Sequence, residues 1–138
     1  MITPRPSKKV PARGRPSIAT KRVYDPPSRE DGFRILVDRL WPRGLTKDKA
    51  KVDLWLKEIA PSDDLRKWFG HEPGKWPGFK KRYFNELSEH RQMVETILEQ
   101  ARSGPVTILF GAKETRYNNA VALREFIETG LSDKPPNP

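Results

Sequence analysis

Two short apolar runs give the clearest structural signal in this sequence. Residues 35–37 and 106–110 are almost continuously apolar and rich in β-branched side chains, which predicts buried strands. Residues 18–24 predict another strand at the start of the folded region. Strands without alternating polar positions are typical of a mainly parallel sheet that is covered on both faces.

A fourth strand is predicted over residues 52–60, where the pattern fits two structures. Val52, Leu54 and Leu56 recur at every second position, as in a strand, whereas other apolar positions in the same run fit one face of a helix. We predict a short strand that ends at Pro61.

Helices are predicted between the strands from the 3.6-residue periodicity and from residues that begin or end a helix. The predicted boundaries are Thr46 to Lys51, Ser62 to Gly70, Pro77 to Gly104 with a break near Ser88, and Asn118 or Asn119 to Gly130. Strands that alternate with helices indicate an α/β domain. We therefore predict a mainly parallel sheet of about four strands, with helices on both faces.

The connection between the first two strands leaves one question open. Residues 25–32 form a turn-rich segment, which is shorter than the dozen or more residues of an ordinary parallel crossover. Either the two strands form a hairpin or the first strand lies at the edge of the sheet.

The positive charge is concentrated at the start of the chain. We predict a disordered basic arm over residues 1–17, an α/β domain over residues 18–131 and a disordered end over residues 132–138. Residues 1–22 hold seven of the 27 basic residues and none of the 18 acidic residues. A charge argument for binding nucleic acid therefore concerns the arm before it concerns the domain.

The arm also contains a short motif. Arg13-Gly14-Arg15-Pro16 resembles the core of an AT-hook, in which two arginines enter a narrow minor groove of DNA. Arg13 and Arg15 are thus candidate nucleic-acid contacts, and the alternative is a solvated tail.

Composition excludes several classes of protein. The chain has no cysteine, which removes thiol catalysis, disulfides and cysteine-held metal clusters. With only His71 and His90 as histidines, we expect no metal site, and we expect no cofactor. No apolar run approaches the roughly 18 residues that span a membrane, and no secretory signal is visible. We expect a cytoplasmic protein.

Polar side chains follow the two clearest strands at the points where they end. In an open α/β sheet, ligands bind outside the carboxyl ends of the strands. If these two strands are neighbours, the polar residues meet at one edge and suit a phosphate or carboxylate. The candidate ligand-binding residues are Arg39, Trp41, Arg43, Lys113, Asn118 and Asn119.

Two residues are candidates for proton transfer. Asp38 is a general acid or base if burial raises its pKa, and otherwise forms an ion pair with Arg39 or Arg43. His71 either transfers protons or bonds to the last carbonyls of the preceding helix. Trp41 either stacks on an aromatic ligand or packs within the protein.

The chain also resembles a known family at several of these positions. RVYDPPSREDGFRILVDRLWPRG at residues 22–44, LRKWFGH at 65–71 and VTILFGAKE at 106–114 are similar to the YeaO-like proteins, a branch of the bacterial domain of unknown function 488 family. The resemblance implies a compact Rossmann-like three-layer domain in the cytoplasm and supplies no established activity. Many relatives carry a cysteine near the end of the last strand, where this chain has Phe110-Gly111-Ala112, so a thiol mechanism fails here.

Three classes of function follow. The first is a domain that binds an anion or a nucleotide, or an enzyme acting on a phosphorylated or acidic small molecule. The second is a nucleic-acid-associated protein that binds DNA through residues 1–17. The third is a protein-interaction module without chemistry.

Overall fold

The computed structural model describes residues 17–133, which form one parallel sheet and five α-helices. The strands are β1 (Ile18–Arg22), β2 (Phe33–Leu36), β3 (Leu54–Trp55) and β4 (Val106–Phe110), and the helices are α1 (Lys47–Ala50), α2 (Asp63–Phe69), α3 (Trp76–Leu87), α4 (Arg91–Ser103) and α5 (Asn119–Asp133). Almost all of the predicted arm and residues 134–138 lie outside the described residues.

All strand pairs are parallel, and the strand order across the sheet is β1-β4-β2-β3. Thr20, Ile108, Ile35 and Leu54 lie opposite one another in this register. The first strand is therefore at the sheet edge and does not form a hairpin with the second. This answers the open question of the short connection, because β1 and β2 are separated in space by β4.

The two faces of the sheet are covered unequally. On one face, buried residues such as Ile35 and Ile108 pack against α2, α3, α4 and α5. On the other face, Leu36 and Leu109 pack against Ala50 of α1 and against Trp41 and nearby side chains. The predicted three-layer α/β architecture is confirmed, with a thick helical layer on one side and a thin layer on the other.

Local capping explains most helix boundaries. The Ser62 hydroxyl accepts a hydrogen bond from the Leu65 N–H, at 3.1 Å, and so caps α2. Gly70 ends that helix in the left-handed conformation that glycine tolerates, with φ of 53°. The predicted break near Ser88 is confirmed, since α3 ends at Leu87 and α4 begins at Arg91.

The strands predicted over residues 18–24 and 35–37 are Ile18–Arg22 and Phe33–Leu36 in the structure, and two further predicted boundaries are wrong by three residues or more. The strand expected over residues 52–60 is only Leu54–Trp55, because β3 is an edge strand and the chain then tightens into the 3₁₀ turn Lys57–Ile59. Helix α5 continues through Gly130 to Asp133, because a glycine permits a helix to end but does not require it. Within residues 17–133, no helix combines the length and the hydrophobicity needed to cross a membrane.

A buried polar cluster lies near the amino ends of β2 and β4. The Asp31 carboxylate accepts hydrogen bonds from the Ser28 N–H, at 2.9 Å, from Lys21, at 3.1 Å, and from Arg34. The Thr107 hydroxyl donates to the Asp31 carbonyl, at 2.7 Å. Burial opposes the charged carboxylate, but these donors outweigh that effect and hold the pKa of Asp31 below its ordinary value.

The Arg34 guanidinium connects this cluster to the thin layer. It donates to the carbonyls of Ala50, at 2.7 Å, and Lys51, at 2.9 Å, while only 4% of the residue is exposed. Lys51 has a φ of 49°, which is uncommon for a residue other than glycine. Charge and hydrogen-bonding capacity at this end of the sheet are thus satisfied within the protein.

Candidate functional site

The carboxyl ends of β2 and β4 meet at the side chain of Asp38. Because the two strands are parallel neighbours, the residues that follow them lie side by side. Asp38 Oδ2 accepts from the Gly111 N–H, at 2.8 Å, and Oδ1 accepts from Asn119 Nδ2, at 3.1 Å. The Asn119 amide also donates to the Val37 carbonyl, at 3.2 Å, so one carboxylate joins both strands to the start of α5.

A cavity of about 360 Å³ opens beside this carboxylate. It is bounded by the carboxyl edge of the sheet, by α2 with the loop after it, and by the loop before α5. Its lining residues are Asp38, Arg39, Leu40, Ala60, Pro61, Arg66, Lys67, Phe69, His71, Phe79, Ala112, Tyr117, Asn118 and Asn119. Five of the predicted site residues therefore share one cavity: Asp38, Arg39, His71, Asn118 and Asn119.

Burial raises the pKa of Asp38 above its ordinary value. The hydrogen bonds from Asn119 and Gly111 and the positive charge of Arg66 oppose this rise. The alternative of an ion pair with Arg39 or Arg43 is wrong, because among residues 17–133 neither lies within 4.0 Å of the Asp38 carboxylate, and Arg39 pairs with Glu58, at 3.7 Å. Within residues 17–133, the Asp38 oxygens accept hydrogen bonds only from neutral donors.

Arg39 joins the edge of the sheet to the segment that precedes α2. One terminal nitrogen donates to the carbonyls of Ala60 and Pro61, each at 3.3 Å. Its Nε is buried and has no hydrogen-bond partner among residues 17–133. An unpaired buried N–H costs about 1–3 kcal/mol, so this donor lowers the stability of the fold.

His71 is held at the cavity by an unusual backbone conformation. It follows Gly70 and has a φ of 59°, in the left-handed region that disfavours residues with a Cβ. Its ring lies 6.4 Å from that of Phe69, centroid to centroid. Strained residues of this kind cluster at functional sites, which makes the position of His71 informative.

Three predicted ligand residues do not line the cavity. Trp41 donates from its indole to the Leu45 carbonyl, at 2.7 Å, and packs in the thin layer. Arg43 is exposed, and its backbone carbonyl accepts from the Tyr24 hydroxyl, at 3.0 Å. Lys113 is also exposed, although the neighbouring Ala112 does line the cavity.

The two asparagines differ in their contacts. Asn118 caps α5, because its side-chain oxygen accepts from the Val121 N–H, at 2.9 Å, and its amide donates to the Glu114 carbonyl, at 2.8 Å. Asn119 instead contacts Asp38 directly. Of the remaining predicted contacts, Arg13 and Arg15 lie outside the described residues.

Sequence reasoning missed the cations that α2 contributes. Arg66 and Lys67 line the cavity, beside the buried Leu65 and Phe69 of the same helix. The amphipathic pattern of α2 marked its polar side, but no local signal connected that side to the end of the sheet. Arg22 was also missed, and it braces the loop after β4 by donating to the carbonyls of Ala112, at 2.9 Å, and Gly111, at 3.3 Å.

The fold and this site define a parallel α/β domain with a cavity at the carboxyl ends of its central strands. A family model described as the inactive DUF488-N3 subclade matches residues 17–137. The chain belongs to this family, DUF488-N3i, and is a YeaO-like protein, as the resemblance predicted.

Two relatives support this assignment over most of the chain. Uncharacterized protein YeaO of Escherichia coli (strain K12) is 43% identical over 113 residues, which cover 82% of this chain and 98% of that protein. Uncharacterized protein Rv3073c of Mycobacterium tuberculosis (strain ATCC 25618 / H37Rv) is 34% identical over 110 residues, which cover 80% of this chain and 92% of that protein. No solved structure matches the chain.

Proposed function

We propose that this protein is a cytoplasmic binding domain for a small anionic molecule, with nucleotides as the best-fitting class. The observation that carries the proposal is the polarity of the cavity. The half-buried carboxylate of Asp38 and the α2 cations Arg66 and Lys67 line the same cavity. A ligand with hydrogen-bond donors at one end and a negative charge at the other satisfies both.

The acceptor side of the cavity has unused capacity. Each Asp38 oxygen receives one N–H from the protein, and a carboxylate oxygen accepts about two hydrogen bonds. A ligand hydroxyl or amino group is therefore a suitable partner for Asp38. The Asn119 side-chain nitrogen donates to the Val37 carbonyl and to Asp38. The side-chain oxygen of Asn119 accepts none of the hydrogen bonds among residues 17–133, so it is a second acceptor for the ligand.

The remaining walls fit an anionic and partly flat molecule. Arg66, Lys67 and His71 supply donors for a phosphate or carboxylate. Phe69 and Tyr117 supply apolar and aromatic surface between the polar groups. A volume of about 360 Å³ falls in the range of small-molecule sites.

Binding without turnover is favoured by the family. The matching family is described as an inactive subclade, and this chain has Phe110-Gly111-Ala112 at the end of β4 and no cysteine. Asp38 and His71 then act as ligand contacts. Acid–base catalysis is a second candidate, because the raised pKa of Asp38 and the nearby His71 are features of proton-transfer sites.

A thermal-shift screen tests the binding proposal. Nucleoside phosphates, sugar phosphates and dicarboxylic acids are added to the full chain, and hits are measured by calorimetry. We expect a hit that stabilises the protein, since a ligand at about 100 times its Kd contributes about 2.7 kcal/mol. Arg66→Gln and Asp38→Asn should each lower the affinity for that ligand at least about tenfold, which is about 1.4 kcal/mol of binding free energy.

Arg102→Gln is the matched control, because Arg102 is exposed on α4 and pairs only with Glu95 among residues 17–133. The proposal fails if no compound in the panel changes the melting temperature. It also fails if a hit stabilises Arg66→Gln as much as the unaltered chain. Conversion of the hit during incubation, lost in Asp38→Asn, would establish catalysis instead.

DNA binding through residues 1–17 is the alternative function, and the lack of acidic residues in that segment supports it. Arg13 and Arg15 would enter the minor groove. A full-length variant with the basic residues of the arm replaced by Gln tests this function.

A further inference from the structure

The net positive charge of residues 17–133 comes from one segment. Residues 17–133 contain 21 basic and 18 acidic residues, and residues 66–82 contain six of those basic residues and one of the acidic ones. The other described residues therefore hold 15 basic and 17 acidic side chains. The whole excess of positive charge in residues 17–133 comes from the last four residues of α2, the loop after it and the first part of α3.

Aromatic rings hold several of these cations in place. The Arg82 guanidinium lies 4.0 Å from the centre of the Trp68 ring, and Lys75 Nζ lies 5.0 Å from the same ring. Lys75 also donates to the Trp68 carbonyl, at 2.8 Å. These contacts order long side chains that would otherwise lose entropy on binding a partner.

Part of this charge is not neutralised by the protein. Lys80 pairs with Glu125, at 2.8 Å, whereas the Lys75–Glu72 contact is long, at 4.0 Å. Lys81 and Arg82 are exposed and have no acidic partner within 4.0 Å among residues 17–133. We call Lys67, Trp68, Lys75, Lys81 and Arg82 the α2–α3 surface.

We infer that the α2–α3 surface binds single-stranded nucleic acid. Lysine and arginine side chains neutralise phosphates, and a guanidinium ordered on an indole ring offers a flat cationic face on which a base stacks. Alternation of basic and aromatic residues is typical of proteins that bind single strands.

A membrane surface fits the observations less well. Peripheral binding to lipid needs apolar side chains that enter the bilayer beside the basic ones. Among residues 17–133 the exposed large hydrophobic side chains are Tyr24 and Leu40, and neither belongs to this segment. The surface shares Lys67 with the cavity, whereas Lys75, Lys81 and Arg82 do not line it, so these three residues separate the two kinds of binding.

The test separates the surface from the arm in the full-length chain. In an arm variant, Arg5, Lys8, Lys9, Arg13 and Arg15 are replaced by Gln. A surface variant carries Lys75→Gln, Lys81→Gln and Arg82→Gln, and a control variant carries Lys47→Gln, Lys49→Gln and Arg91→Gln, three exposed residues elsewhere. Binding of a labelled single strand of about 20 nucleotides is measured by fluorescence anisotropy at about 50 and 200 mM salt.

In the arm-variant background, we expect the surface substitutions to weaken binding at least about tenfold. The slope of log affinity against log salt should fall by about two, since each neutralised phosphate of a single strand contributes about 0.7. The control substitutions should change affinity less than about threefold. Circular dichroism checks folding, and the single change Lys81→Glu, at an exposed side chain, repeats the test without disturbing Trp68.

Four results would overturn the inference. The first two are an equal loss of affinity in the surface and control variants, and loss of all low-salt binding when only the arm is altered. The other two are that a duplex binds as tightly as the single strand, and that the protein binds anionic vesicles but not the single strand. Confinement of binding to the arm would support the AT-hook hypothesis for Arg13 and Arg15.

Discussion

Two carboxylates flank β2, and they differ in the charge of their hydrogen-bond donors and in the direction of their pKa shifts. Asp31 lies before the strand and is held by the cations Lys21 and Arg34. Asp38 lies after the strand and is held by the neutral donors of Gly111 and Asn119. The pKa of Asp31 is lowered although its side chain is buried, whereas the pKa of the half-buried Asp38 is raised.

This difference in hydrogen-bond partners shows that the charge of Asp31 serves the structure, whereas the charge of Asp38 is available to a ligand. At Asp31, the charge and the lone pairs are matched within the chain, so little remains for a ligand. At Asp38, neutral donors fix the geometry and leave the negative charge uncompensated by direct contact. A single short strand therefore connects a closed end of the molecule to an end that is suited to binding.

The largest expected effect is at the closed end. Asp31→Asn leaves Arg34 and Lys21 without their counter-charge, and the Arg34 side chain is only 4% exposed. Because an uncompensated buried charge is costly, we expect the free energy of unfolding at neutral pH to fall by about 3–5 kcal/mol. Urea unfolding measures this loss.

Asp25→Asn is the control for that experiment, since Asp25 is exposed in the loop after β1. It should change the free energy of unfolding by less than about 0.5 kcal/mol. If Asp31→Asn costs no more than Asp25→Asn, the cluster is not a structural ion pair and the contrast with Asp38 disappears.

The second prediction concerns pH, where the two residues act with opposite sign. Because the pKa of Asp31 is lowered in the folded state, its charge stabilises the fold above pH 3.8. That stabilisation is lost as the pH falls through the folded-state pKa. The raised pKa of Asp38 has the reverse effect, so stability is lost as the pH rises from 3.8 through its folded-state pKa.

We therefore expect Asp38→Asn to remove a loss of stability that the unaltered chain shows as the pH rises above 3.8. Each unit of pKa difference corresponds to about 1.4 kcal/mol. Unfolding free energies are compared at several pH values between about 4 and 7. A stability difference between the two chains that stays constant over this range would contradict the proposed burial of an unpaired charge.

The smallest effects come from the two left-handed residues, one at each end. Both Lys51 and His71 have a positive φ, and the Lys51 carbonyl accepts from Arg34. Replacing either with Gly relieves strain, and we expect each change to raise stability by up to about 1 kcal/mol. Only His71→Gly should lower the affinity for a ligand found in the screen, because His71 lines the cavity and Lys51 does not.

Thermal unfolding and calorimetry on the two variants test this pair. Equal ligand affinity in His71→Gly and Lys51→Gly would remove His71 from the site. A marked loss of stability in either variant would mean that its side chain makes contacts that outweigh the relief of strain.

Local signals predicted much of the fold. The strand at residues 106–110 and the Ser62 cap were predicted from apolar runs and capping chemistry, which depend on neighbouring residues. The meeting of Asp38 with the residues after β4 was predicted only on the condition that the two strands are neighbours. Their pairing joins residues about 70 positions apart, and no local pattern encodes it.

The site was less predictable for the same reason. Trp41 and Arg43 follow β2 directly, yet the chain turns there toward the thin layer and carries them away from the cavity. Arg66 belongs to α2, and the sequence contains no signal for where that helix packs against the sheet. Sequence proximity to a strand end therefore identified Asp38 and Arg39 and misplaced the residues two to four positions further on.

The strand order has a consequence for synthesis. β4 is the last strand to leave the ribosome, yet both β1 and β2 pair with it and not with each other. A nascent chain therefore carries two strands with open edges until residues 106–110 emerge, and such edges invite aggregation. Translation that stops before β4 should yield insoluble fragments, whereas the full-length product closes its sheet in one late step.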